Sequence, residues 1–309
     1  MNKPNFFIVG EPKSGTTALH DFLDQHPQIT MSTVKEPYHF CTDLHQESDQ
    51  FHKKRLYFKY RDQDKYLSLF KQDKLYDAVG ESSTFYIWSK DAAKNIHSFN
   101  PDAKIIIFLR NPIDFIYSLH SHWVVETYEN ITSFEEALRA ETERKINWQR
   151  IPSRAYFPSM LYYTSMANYA SKVSRFYKYF DRDQVKVFVF EDFKKNNANI
   201  FQNILKFLEV DQTFEPQYKK VNASKKPRCP ALNYVAQNVY FIEGLKKIMP
   251  MRVHRMIKHA GQKMLWKETA REKMPEDIRY ELTRKFFREV KSISDVLQRD
   301  MVRYWNFKI

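Results

Sequence analysis

Phe6-Phe7-Ile8-Val9-Gly10-Glu11-Pro12-Lys13-Ser14-Gly15-Thr16-Thr17-Ala18-Leu19 decides the fold, because an apolar run stops at a glycine and a helical pattern starts six residues later. Phe6 to Val9 are bulky enough to form a buried strand, and Ala18, Leu19 and Phe22 recur at helical spacing between Thr16 and Gln25. Between them, Gly10 and Gly15 permit backbone conformations that a Cβ resists. Successive N–H groups can therefore turn inward onto an anion, with the positive end of the helix behind them. Lys13 adds a charge, and Ser14, Thr16 and Thr17 add hydroxyl donors. The pattern predicts a strand, a phosphate loop and a helix. A glycine turn that binds nothing is the competing reading, and the loop alone does not decide between them.

The chain has 309 residues, which suffices for one large α/β domain or two small ones. Only 5 glycines, no linker-like stretch and no repeat interrupt it, so a single domain over 1–309 is expected. No signal-peptide run precedes the first strand and no apolar run is long enough for a bilayer, so the expectation is a cytoplasmic protein without a transmembrane segment. Cys41 and Cys229 are expected as thiols. A net charge of +13 favours anionic partners: nucleic acid, a membrane surface or a highly phosphorylated cofactor. Aromatic residues at 16% argue for a packed fold over a basic disordered tail.

Further along, Thr30 to Val34 reads as a short strand that delivers Lys35, Glu36 and His39, a candidate acid–base cluster or a solvated pair beside a turn. Asp43 to Asp73 reads as a surface excursion ending in a short helix at 65–70. Asp77 to Tyr86 reads as a buried strand entering a hydroxyl-rich turn, with Glu81 either a second site carboxylate or the partner of a basic neighbour. Ala103 to Leu109 is a nearly continuous apolar run, as expected of a central parallel strand. Arg110 follows it, Pro112 opens the next helix, and Ser118 lies on that helix. A strand-end arginine and a serine two turns into the next helix can converge on one phosphate, the arginine with a bidentate fork. Ser133-Phe134-Glu135-Glu136 predicts a capped helix, Tyr162 to Phe180 a helix whose aromatic residues are core, Val185 to Phe190 a strand and Ile200 to Leu208 a helix.

Alternating strands and helices predict an α/β fold, a central parallel sheet flanked by helices in three layers. Ligands of such sheets bind beyond the C-terminal strand ends, where Lys13, Glu36, Glu81 and Arg110 all fall. Residues 218–228 read as a basic loop carrying Lys225, Lys226 and Arg228. Residues 231–273 read as a helical, basic, amphipathic region that either caps the cleft or lies on an anionic surface, and 275–297 as a last helix.

The loop is not a Walker A sequence, which needs lysine directly after the second glycine, whereas Lys13 precedes Gly15 by two. Gly-Glu-Pro-Lys-Ser-Gly-Thr-Thr instead resembles the 5′-phosphosulfate loop of sulfotransferases, which use 3′-phosphoadenosine 5′-phosphosulfate (PAPS) without a metal. Arg110-Asn111-Pro112 with Ser118 resembles that family's 3′-phosphate motif, and 222–228 its nucleotide-closing loop. The resemblance, to the bacterial and carbohydrate or heparan-sulfate type, covers nearly the whole chain. It implies a P-loop-like fold and nucleotide binding by Lys13, Ser14, Gly15, Thr16, Thr17, Arg110, Ser118, Lys226 and Arg228. It also implies catalysis by Glu36 as base with Lys13, and His39 as second candidate. Ser82 stands where relatives often carry a lysine. The expected acceptor is a small metabolite or natural product offering a hydroxyl or amine, with a glycan or lipid headgroup as alternatives. Rival readings are a nucleotide kinase, disfavoured by the loop lysine's position and the lack of a clear Mg²⁺-binding aspartate, and a non-catalytic nucleic-acid or membrane-binding protein.

Overall fold

Alternate residues of the two innermost strands enter two different cores. In the computed structural model, which describes residues 2–218, 225–227, 266–268 and 273–308, β1 (Phe6–Ile8) and β4 (Lys104–Leu109) are paired in parallel. Phe7, Ile105, Ile107 and Leu109 join one core, while Phe6, Ile8, Ile106 and Phe108 join the other. Period-two alternation of all-apolar residues is what a sheet covered on both faces demands. With β2 (Ile29–Met31), β3 (Ala78–Ser82) and β5 (Val185–Val189) the sheet has five parallel strands in the order β2-β3-β1-β4-β5.

Helices cover both faces. On one side, α1 (Thr16–Leu23) contributes Leu19, Phe22 and Leu23. The paired helices α9 (Phe190–Lys195) and α10 (Asn197–Leu208) add Phe193, Phe201, Ile204, Leu205 and Leu208 to that core. On the other side lie α4 (Ala92–Phe99), α5 (Pro112–Val125), α6 (Phe134–Asn147) and the pair α7 (Tyr163–Met166) and α8 (Tyr169–Tyr179). Against them packs α11 (Glu276–Leu297), through Leu282, Phe286, Val290 and Ile293. Burying each such side chain stabilises the fold by about 1.5–3 kcal/mol, so the two cores dominate its energetics. The last helix, α12 (Met301–Tyr304), leads to Trp305, which is buried and donates through Nε1 to Glu191 at 3.2 Å.

Several expectations change. Residues 43–61 are not an irregular excursion: α2 (Thr42–His52) fills much of them, followed by α3 (Gln63–Leu67). The buried face of α2 is Leu44, His45 and Ser48, so it carries almost no apolar period to detect. The helix expected over 162–180 is broken between Met166 and Tyr169. The segment 218–228 is not all loop, because Lys225–Pro227 pairs antiparallel with Trp266–Glu268 as β6 and β7. The latter falls in the region expected to be helical. Arg228, Cys229 and residues 231–265 lie outside the described residues.

Candidate active site

The order of the strands puts the functional loops side by side. From β1 the chain runs to one side of the sheet through α1, and from β4 it runs to the other through α5. Adjacent parallel strands with oppositely directed connections open a crevice at their C-terminal ends. The loop at 10–15 lines one lip and Arg110 the other.

The loop is held from below. The backbone N–H of Glu11 donates to Phe108 O at 2.8 Å, and a Cβ on Gly10 would stand 2.4 Å from the Phe108 nitrogen, so only glycine fits there. Gly15 caps α1 at φ 92°, and Lys13, which has a Cβ, also holds a left-handed φ of 63°. Such a conformation at a non-glycine residue costs about 1–3 kcal/mol and persists only where surrounding contacts impose it. One such contact crosses the crevice: Arg110 Nη1 donates to Lys13 O at 2.9 Å. The Arg110 guanidinium lies over the Phe190 ring, 4.8 Å from its centre, and Tyr169 Oη donates to the Arg110 carbonyl at 3.0 Å. Ser118 is buried on α5.

The side chain of Glu11 fixes the loop to the opposite layer. It is fully buried, accepts from Lys172 Nζ at 3.0 Å and from Trp88 Nε1 at 2.6 Å, and burial pushes its carboxyl up while Lys172 and Trp88 pull it back. Lys172 also donates to the carbonyl of Met166. That carbonyl is available because α7 stops there: the N–H that would have met it, on Ala170, donates instead to Glu289 Oε1 at 2.6 Å. None of these partners was legible from spacing.

Ser14 Oγ is buried and has no hydrogen-bond partner among the described residues. A buried hydroxyl left unpaired beside a lysine, at the N-terminus of a helix, suits a phosphate group. Thr16 is buried and Thr17 half-buried on the first turn of α1. The residues present therefore fit the phosphates of a nucleotide.

Glu36 follows β2, and its backbone N–H donates to Ser82 O at 2.9 Å, which brings it to the end of β3, next to β1. Its carboxylate accepts from Lys35 Nζ at 2.7 Å, Tyr38 Oη at 2.6 Å and Thr84 Oγ1 at 3.3 Å. Burial works to raise its pKa, yet the Lys35 charge and the three hydrogen bonds prevail and hold it below the ordinary carboxylate range. The side chain keeps 33% exposure, enough to meet a ligand. Glu36 and Tyr38 both take left-handed backbone, φ 63° and 57°. Two bonds to the carbonyl of Tyr38 support that turn, from His45 Nε2 at 2.7 Å and Cys41 Sγ at 3.1 Å. The Lys35 charge also helps to lower the pKa of His20 on α1, which burial chiefly lowers to about 4.

His39 is anchored elsewhere. Its Nδ1–H donates to Tyr60 O at 2.7 Å and its ring stacks on Tyr66 at 4.3 Å, while burial lowers its pKa. Glu81 is fully buried, near Tyr66, Tyr86 and Ser83, it forms no ion pair among the described residues, and burial pushes it up to about 8. Ser82, in place of a lysine, has its hydroxyl 3.0 Å from His20 Nδ1. Lys226 is described only as backbone of β6, and Arg228 lies outside the described residues. Tyr38 and Thr84, as partners of Glu36, were missed by sequence reasoning, although Tyr38 sits two residues from it.

The family profile described as "Sulfotransferase domain" matches residues 3–243. Human bifunctional heparan sulfate N-deacetylase/N-sulfotransferase 3 is 30% identical over 213 residues, 67% of this chain and 22% of that protein. Mouse carbohydrate sulfotransferase 15 is 31% identical over 155 residues, 37% of this chain and 26% of that protein. The matches thus span about a quarter of the length of these curated relatives. A sulfotransferase from Alicyclobacillus acidocaldarius has a solved structure that is 28% identical, with a TM-score of 0.71 covering 99% of this chain and 100% of that one. The chain belongs to the sulfotransferase domain family, the PAPS-dependent transferases.

Proposed function

We propose that this chain transfers a sulfuryl group to a hydroxyl or amine of a small metabolite or natural product, with Glu36 as the general base. The observation that carries the assignment is the environment of Glu36: an ionised, partly exposed carboxylate at the strand ends, with three donors fixing its direction. A base must be deprotonated and aimed before the acceptor arrives, and this one is both. His39 is the weaker choice, since Tyr60 and Tyr66 hold its ring.

PAPS, when bound, supplies the sulfuryl group and the phosphate that leaves from it. Lys13, Ser14, Gly15, Thr16 and Thr17 would hold the 5′-phosphate, and the charge growing there would be met by the Lys13 ammonium and the loop amides, an electrostatic role. Arg110 and Ser118 would hold the 3′-phosphate, and Lys226 and Arg228 would complete the nucleotide site. Glu36 would take the acceptor's proton as the acceptor approaches from the side opposite the loop. The same proposal treats the chain as one catalytic unit working on a small molecule and not on nucleic acid. Its setting is the cytoplasm, in keeping with Cys41 as a buried thiol. No described helix is long and apolar enough to cross a membrane.

Replacing Glu36 with glutamine preserves shape and removes the base. Turnover should fall by about 10²–10⁴-fold while affinity for adenosine 3′,5′-bisphosphate (PAP) stays within about threefold. Full activity of Glu36→Gln would remove Glu36 from the mechanism.

A further inference from the structure

From Tyr38, which donates to Glu36, a run of ring contacts leads away through the core. Tyr38 stacks on Phe85 at 4.4 Å, Phe85 meets Tyr156 edge-on at 6.0 Å, and Tyr156 stacks on Tyr57 at 4.3 Å. The Tyr156 hydroxyl accepts from Tyr128 Oη at 3.3 Å and lies within the fields of Glu36, Glu126 and Arg154. Tyr156 also lies two residues from an arginine, Arg154, along the chain. The backbone around that arginine is pinned: Tyr57 Oη donates to Arg154 O at 3.0 Å, and His52 Nε2 donates to Ala155 O at 2.8 Å.

The Arg154 side chain is not satisfied. Its Nε and Nη1 atoms are buried and have no hydrogen-bond partner among the described residues. Burying guanidinium donors without acceptors costs stability. Guanidinium nitrogens left without an acceptor suit one kind of missing partner, an oxyanion.

We propose that Arg154 is the anion-binding element of the acceptor subsite, so that the acceptor carries an acidic group, a carboxylate or a phosphate or sulfate ester, besides the hydroxyl or amine presented to Glu36. The inference rests on the sulfuryl-transfer reading above and adds the chemical class of acceptor. The flat rings of Tyr57 and Tyr156 would carry the body of the acceptor between its two polar ends.

The test uses PAP-saturated protein and two matched probe pairs, 4-hydroxyphenylacetate against 4-hydroxyphenylacetamide and glucose 6-phosphate against glucose, titrated by calorimetry. In the wild type, the acidic member of at least one pair should bind about tenfold or more tightly than its neutral partner, and the pair that discriminates tells carboxylate from phosphate. Arg154→Gln should reduce that preference to within about twofold. Arg154→Lys, which keeps the charge, should retain the preference but bind the acid several-fold more weakly. If Arg154→Gln does not fold, the lysine variant decides, and unchanged acid affinity in it overturns the proposal. Equal binding within both pairs, or a preference that survives Arg154→Gln, also overturns it. PAP binding is read in the same titrations: its absence from the wild type brings down the nucleotide-site reading, whereas PAP binding without acid discrimination brings down only the role of Arg154.

Discussion

Lys35 and Glu36 are neighbours in sequence, yet they act as a pair only because a left-handed turn at Glu36 folds the carboxylate back onto the ammonium at 2.7 Å. The charge of Lys35 and its hydrogen bond lower the Glu36 pKa against the opposing effect of burial. Removing that charge must raise it. In Lys35→Met, Glu36 would stay protonated to higher pH, so the acidic limb of the kcat/KM profile should move to higher pH while PAP affinity is kept; Lys35→Arg should restore the limb. An unmoved limb in Lys35→Met would show that Glu36 does not titrate in that step. The pairing of types, a lysine, a glutamate and a histidine after a strand, was legible in the sequence. Their division of labour was not, since it depends on Thr84 and Tyr60 reaching them from other turns and on Tyr38 folding back within the same one. Glu81 shows the same limit: an acidic residue at a strand end reads as a site residue, and only its burial among tyrosines shows a carboxyl pushed up to about 8.

At the scale of elements, the loop at 10–15 depends on a helix break far along the chain, between Met166 and Tyr169. The end of α7 frees the Met166 carbonyl for Lys172, and Lys172 in turn holds Glu11. Removing one partner of a buried pair leaves the other charge uncompensated, a loss of about 3–5 kcal/mol. Glu11→Gln and Lys172→Met should each destabilise by that order in urea unfolding, and the double variant by clearly less than their sum; strict additivity would mean the two residues are not coupled. Both single variants should also weaken PAP binding, because the loop loses its lower anchor. The strands β1, β3, β4 and β5 and the helices α1, α5, α6, α10 and α11 were readable from their apolar pattern, and α5, α6 and α10 carry side-chain caps from Asn111, Ser133 and Asn196 as well. The helix α2 was not, because its buried face is largely polar, and the break after α7 was not, because the apolar pattern of 162–180 continues across it while a tertiary contact rewards the interruption.

At the scale of the molecule, the order β2-β3-β1-β4-β5 does what no single motif could: it places the end of β1 between those of β3 and β4, so that loop, base and arginine converge on one crevice. Sequence order and hydrophobic pattern implied a parallel sheet, and the motifs implied which strand ends matter. What they left open was the crossing contact, Arg110 on Lys13 O, which ties the loop at 10–15 to the end of β4. The net charge of +13 fits a doubly phosphorylated nucleotide, but charge alone also fitted nucleic acid and membranes.

The most direct measurement of the site is a calorimetric titration of the wild type and Arg110→Ala with PAP, 5′-AMP and ATP-Mg²⁺. The account predicts that the wild type prefers PAP to both others, and that Arg110→Ala loses about 10–100-fold in PAP affinity while 5′-AMP, which has no 3′-phosphate, changes little. Preference for ATP-Mg²⁺, or PAP affinity indifferent to Arg110, would contradict it.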